Sequence, residues 1–105
     1  MTGRFGLSEN TIRKIADTAS GFTGVERLVI YGSRARGDYK SGSDIDIAVF
    51  GRDLSMRDFS LLSSKLDELA GVFKTDIVHF ETLENEALKK TILSEGVVIS
   101  SGPTP

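Results

Sequence analysis

Apolar and polar positions along this chain follow two periods, and the period switches several times. From Ser8 onward Ile12, Ile15, Ala16 and Ala19 fall at i, i+3, i+4 and i+7, a helical stripe that Ser8 can cap and Gly21 can end. Val25 to Tyr31 predicts a strand. A short helical turn is expected after Gly32-Ser33, and Asp44 to Phe50, rich in β-branched residues, predicts a second strand closed by Gly51. Ser55-Met56-Arg57-Asp58 has the form of a capping box, and Phe59, Leu62, Leu66 and Leu69 stripe a helix that runs to Gly71. Phe73 to Phe80 predicts a third strand. Thr82 to about Leu93 predicts a helix with Leu83, Ala87, Leu88 and Ile92 facing inward, and Val97 to Ile99 a last short strand.

Strands alternating with helices imply an α+β domain, an α/β arrangement of two layers with one sheet. The chain has 105 residues, 39% of them hydrophobic, which suits one core and one domain spanning residues 1–99, with residues 100–105 expected to be a disordered tail. A formal charge of −2, with acids and bases mixed, leaves no basic stripe for phosphate neutralisation, so direct nucleic-acid binding is not expected. The absence of cysteine excludes disulfides and thiolate metal sites. Nothing near Met1 has the form of a secretory leader, and no apolar run approaches the ~18 residues of a membrane span. The expected location is therefore cytoplasmic, with no membrane partner.

Chemistry concentrates between Tyr31 and Phe50. Alternation along a strand puts Asp44 and Asp46 on one face and Ile45, Ile47 and Val49 on the other. Two carboxylates ~7 Å apart beside a core repel each other, and a cation would relieve the cost. Magnesium, which takes hard oxygen ligands and completes its shell with water and phosphate, suits an Asp-x-Asp pair. Two solvated acids on a half-exposed strand would give the same pattern, so the pair alone does not decide. Just upstream, Gly32-Ser33 follows the apolar run Leu28 to Tyr31, where a tight turn into a helix start would aim backbone N–H groups and the Ser33 hydroxyl at an anion. It is not a P-loop, because Asp38 stands where the lysine is required after Gly37. An EF-hand is excluded by Ala48 at the fifth loop position from Asp44, and a dinucleotide fingerprint by the lack of Gly-x-Gly. A phosphate-cradling turn and an acid pair on consecutive strands together suit a nucleoside triphosphate with its magnesium.

Gly32-Ser33-Arg34-Ala35-Arg36-Gly37 followed by Ser43-Asp44-Ile45-Asp46 resembles the signature of the DNA polymerase β-type nucleotidyltransferase superfamily. The short chain and the ending Leu93 to Ile99 are similar to its minimal nucleotidyltransferases. The resemblance implies the palm-like fold of that family, a mixed sheet of about four strands flanked by helices. It implies ATP or another nucleoside triphosphate as donor, with two magnesium ions, or manganese as a substitute. It also implies metal binding and catalysis by Asp44, Asp46 and a third acid, mapped to Asp76 within Lys74 to Val78. Gly32 and Ser33 would then cradle the β- and γ-phosphates. Ser43 would orient the loop before Asp44, while Arg36 is open to phosphate contact or to a bridge with a nearby acid. In this scheme an acceptor hydroxyl attacks the α-phosphorus and pyrophosphate leaves.

The resemblance further implies a helical HEPN-type toxin as partner, with this chain as the antitoxin that transfers AMP to it. A binding antitoxin or regulatory subunit without catalysis, and a small-molecule nucleotidyltransferase of the aminoglycoside type, are the alternatives. Among the remaining residues, His79 is expected to be structural, Tyr39 either stacks on a base or lies exposed, and Lys89-Lys90 suits the dipole of a helix end.

Overall fold

The computed structural model describes residues 4–101. After a 3₁₀ turn at Arg4–Gly6 come α1 (Glu9–Ser20), β1 (Arg27–Tyr31), α2 (Ser33–Arg36) and β2 (Ile45–Phe50). They are followed by α3 (Met56–Ala70), β3 (Thr75–His79), a second 3₁₀ turn at Phe80–Thr82, α4 (Glu86–Glu95) and β4 (Val97–Ser101). The four strands make one mixed sheet in the order β3-β2-β1-β4. Strand β1 is antiparallel to both β2 and β4, whereas β2 and β3 are parallel and joined by the α3 crossover.

Side-chain alternation divides the sheet into two unequal faces. Leu28 and Ile30 of β1 and Ile45, Ile47 and Val49 of β2 face α1 and α3, meeting Ile12, Ile15, Ala19, Leu62, Leu66 and Ala70 in the main core. Each fully buried Leu or Ile there contributes about 1.5–3 kcal/mol. On the other face Val29, Tyr31, Ala48 and Phe50 form a smaller cluster with Ile92 of α4, flanked by half-buried Val78, Phe80, Leu83 and Leu88. Asp46 and Asp76 share the alternation of Ala48 and Val78, so they belong to this second, thinner face.

Both long helices start where their capping residues predict. The Ser8 hydroxyl accepts the Thr11 N–H at 3.1 Å, and the Ser55 hydroxyl accepts that of Asp58 at 3.0 Å. The last helix differs from expectation. Phe80–Thr82 is a separate 3₁₀ turn, and α4 begins at Glu86 because the Asn85 side chain accepts the Leu88 N–H at 3.1 Å. Leu83 therefore packs from a loop, Ala87 is exposed, and Lys89-Lys90 sits mid-helix rather than at its dipole end. Lys89 instead lies 3.8 Å from Glu86 and over the Phe80 ring. Strand β4 also runs further than predicted, because Ser100 and Ser101 pair with Leu28 and Arg27. Ser100 and Ser101 are therefore not part of a disordered tail, and residues 102–105 lie outside the described residues. His79 is buried, with Nε2 donating to the Gly51 carbonyl at 2.7 Å and its ring stacked on Phe59, a structural placement. Among the described residues no helix is long and apolar enough to cross a membrane.

Asn85→Ala should lower stability by ~1 kcal/mol in urea unfolding, the usual value of an N-cap side chain. A helix starting at Thr82 would instead put residue 85 inside its first turn, and the substitution would be close to neutral.

Candidate functional site

At the end of β1 the backbone turns sharply. Gly32 adopts φ 77°, ψ −152°, a conformation L side chains avoid, and a Cβ built there would collide with Oδ2 of Asp46. The chain thus needs glycine at this position for two reasons at once. Ser33 then opens α2, a single turn that no side chain caps, and Gly37 in the left-handed region closes it with its N–H on the Ser33 carbonyl at 2.9 Å. The Gly-Ser turn and the acid strand are in direct contact, as a phosphate cradle beside a cation site requires.

Register supplies the other half of the site. Asp46 of β2 pairs with Tyr31 of β1 on one side and with Asp76 of β3 on the other, so two carboxylates stand abreast on neighbouring strands. Asp46 is half-buried, and Asp44 and Asp76 are exposed. Partial burial, and then the like charges of Asp76 and Asp44, push the Asp46 carboxyl above its ordinary range, while Arg36 and Arg34 pull it down. Burial followed by the charges of Asp46 and Asp76 pushes the neighbouring Tyr31 phenol up to about 12. The local field is negative and under-compensated.

Sequence reasoning passed over the residue that frames this site. Arg34 is 2% exposed, yet among the described residues its guanidinium forms no hydrogen bond or ion pair with an acid. It donates to the Phe5 carbonyl at 2.8 Å and twice to the Ser43 carbonyl, at 2.8 and 3.2 Å, and it lies between the Tyr39 and Phe73 rings at 5.0 and 4.9 Å. One cation therefore gathers the first turn, α2, the loop before Asp44 and the loop before β3. The available signal was helical spacing, since Arg34 and Arg36, two apart on a one-turn helix, point to different sides of it. Tyr39 is accounted for by this arrangement, with its ring held against Arg34 and beneath Gly6.

The other predicted site residues have specific partners. The Ser43 hydroxyl accepts the Lys40 N–H at 2.8 Å, a contact within its own loop. Arg36 takes the bridging option, to Asp38 at 3.1 Å and to Glu95 at 2.9 Å. As to a metal ion, the donor chemistry fits a hard divalent cation: carboxylate oxygens, a raised Asp46 and like charges that a cation would neutralise. Closure of the three acids was expected, but among the described residues no group of three acids or histidines gathers tightly enough to enclose an ion. Asp44 precedes β2 in an exposed loop, whereas Asp46 and Asp76 are fixed by the ladder. The site offers a partial ligand set, the kind that magnesium completes with water and phosphate oxygens.

Residues 13–103 match the family model described as polymerase beta, nucleotidyltransferase. The chain belongs to the polymerase β nucleotidyltransferase family. A relative from Methanocaldococcus jannaschii, named as a protein adenylyltransferase, is 40% identical over 70% of this chain and 78% of its own length. A solved minimal nucleotidyltransferase superposes with a TM-score of 0.69 at 26% identity, covering 84% of this chain and 88% of that one. A toxin–antitoxin structure with AMP-PNP gives 0.68 at 26% identity, covering 89% and 73%. In this nucleotidyltransferase the mixed sheet and its flanking helices are therefore the family fold, and the Gly-Ser turn against Asp46 lies inside the matched region.

The raised Asp46 carboxyl carries a testable sign. A carboxyl whose folded pKa lies above its unfolded value destabilises the fold when ionised, and the penalty disappears as pH falls through the folded pKa toward the unfolded one. In metal-free buffer Asp46→Asn should raise the melting temperature at pH 7 by no more than ~2–3 °C, a small gain because solvent screens a carboxyl that is only partly buried. The gain should shrink toward zero on acidification to about pH 4. Equal gains at both pH values would show that Asp46 is not under charge stress.

Proposed function

We propose that this nucleotidyltransferase moves AMP from ATP to a hydroxyl of a protein partner, with a divalent cation held by Asp44, Asp46 and Asp76. We further propose that the partner is a helical toxin of the HEPN type, which the modification silences in the cytoplasm. The observation that carries the nucleotide reading is the contact between the Gly32 backbone and the Asp46 carboxylate, which joins an anion-binding turn to a cation-seeking acid. The protein acceptor is supported by the naming of the archaeal relative, and the toxin partner by the toxin–antitoxin structure with AMP-PNP.

In this reading the N–H groups of the Gly32-Ser33 turn and the Ser33 hydroxyl hold the β- and γ-phosphates. Asp44, Asp46 and Asp76 would hold magnesium, or manganese in its place, which when bound supplies charge neutralisation at the attacking and leaving oxygens. Asp76, exposed at the edge strand, takes the acceptor proton. The new bond joins the acceptor oxygen to the α-phosphorus, and the bond to pyrophosphate breaks. Ser43 and Arg34 set the loop that presents Asp44.

A second reading, a binding antitoxin without chemistry, draws on Asp44, which stays exposed in its loop while the other two acids are held by the ladder. Two measurements separate the readings. Calorimetric titration with ATP should show binding in magnesium and at least a tenfold loss, about 1.4 kcal/mol, in chelator, because bare carboxylates repel the phosphates. Equal affinity in both conditions would sink the metal site. The Asp44→Asn, Asp46→Asn double variant should stay folded, transfer no label from ATP to the co-expressed toxin, and fail to rescue growth. Full rescue by a variant with no transferase activity would decide for the binder.

A further inference from the structure

Of the two arginines in α2, only one can be re-aimed. Arg34 is buried, and carbonyls and aromatic rings hold it on several sides. The Arg36 side chain is 44% exposed, and its charge is close enough to Asp46 to pull that carboxyl down. Asp38, its neighbour at 3.1 Å, belongs to the same turn and moves with it. Glu95 is different: it reaches Arg36 at 2.9 Å from 59 residues away in sequence, at the last position of α4.

That position is a poor one for a carboxylate. The final turn of a helix exposes unpaired carbonyls with partial negative charge, so an acid there is repelled, and α4 has no basic residue in its last turn to offset it. An exposed ion pair such as Arg36–Glu95 returns little stability. Neither the helix nor the fold has a strong use for Glu95. What Glu95 does hold is the guanidinium of Arg36, the exposed one of the two in α2.

We propose that Glu95 is a positioning residue of the nucleotide site, competing with the polyphosphate of the bound nucleotide for the Arg36 guanidinium. This rests on the nucleotide reading above. Because the polyphosphate carries more negative charge than one carboxylate and offers oxygens for a bidentate bond, it draws Arg36 away from Glu95. Glu95 thus weakens nucleotide binding, and it eases the departure of pyrophosphate by taking Arg36 back from it. Arg36 gains two alternative acceptors, one at each end of its swing.

The test turns on a sign that a structural role cannot reproduce. ATP binding with magnesium is measured by calorimetry at fixed ionic strength for the wild type, Glu95→Gln, Arg36→Gln and the double variant, with AMP as a control ligand. Glu95→Gln should bind ATP about two- to fivefold tighter, the range expected from freeing one exposed ion pair. Arg36→Gln should bind more weakly, and adding Glu95→Gln to it should change nothing. AMP, which lacks the β- and γ-phosphates, should not respond to Glu95→Gln. The melting temperature of Glu95→Gln should be unchanged or higher, because an acid leaves a helix C-terminus. If Glu95→Gln binds ATP as wild type does, or more weakly, the proposal is overturned and the nucleotide reading stands. If the wild type binds no ATP at all, both fall.

Discussion

Everything at the working end of this domain follows from one electrostatic constraint, the in-register placement of Asp46 beside Asp76 on parallel strands. A sheet normally avoids like charges abreast, and here the pair lies next to a buried tyrosine and a glycine packed against the carboxylate. The surroundings absorb part of the cost. Arg34 and Arg36 approach from α2, the thin second face leaves Asp76 in water, and Gly32 yields the space that any side chain would have taken. What remains uncompensated is a demand for positive charge at a fixed spot, the demand that the proposed cation would meet.

The two faces of the sheet divide the labour. The face under α1 and α3 carries most of the apolar burial and keeps the strands in register. The other face has a smaller cluster under α4, so it can afford polar residues at the mouth of the sheet. A one-residue slip of β2 against β3 would turn Asp46 into the main core and Ile45 or Ile47 out of it, which the core forbids. Packing on one side therefore sets the geometry of charge on the other.

Much of this was readable in the residues because it is local. The caps at Ser8 and Ser55 and the stripe Phe59, Leu62, Leu66 fix their helices from within a few positions, and Gly32 and the acid pair announce themselves by residue types that strands rarely tolerate. The misses were matters of competing local signals or of distance. Thr82 and Asn85 are both able to cap a helix, and the backbone chose Asn85 after spending Phe80–Thr82 on a 3₁₀ turn. Ser100 and Ser101 read as a tail because their partners, Leu28 and Arg27, lie at the far end of the sequence. The Arg36–Glu95 contact spans a similar gap. Arg34 was hidden for another reason: a buried arginine is normally found by looking for its ion-pair acid, and among the described residues its hydrogen bonds go to carbonyls instead.

That last feature has an evolutionary side. The hydrogen bonds of Arg34 end on the main-chain oxygens of residues 5 and 43, which every amino acid possesses. Substitutions at either position leave these acceptors in place, so the Arg34 bonds outlast a change of side chain there, although the Ser43 hydroxyl and the Tyr39 ring hold the loop in their own way. The tolerance is one-sided, because lysine at position 34 would lose the planar fork that reaches two carbonyls and rests between two rings. A mutational scan of this domain would break that main-chain anchorage by changing residue 34, while changes at residues 5 and 43 would leave it standing.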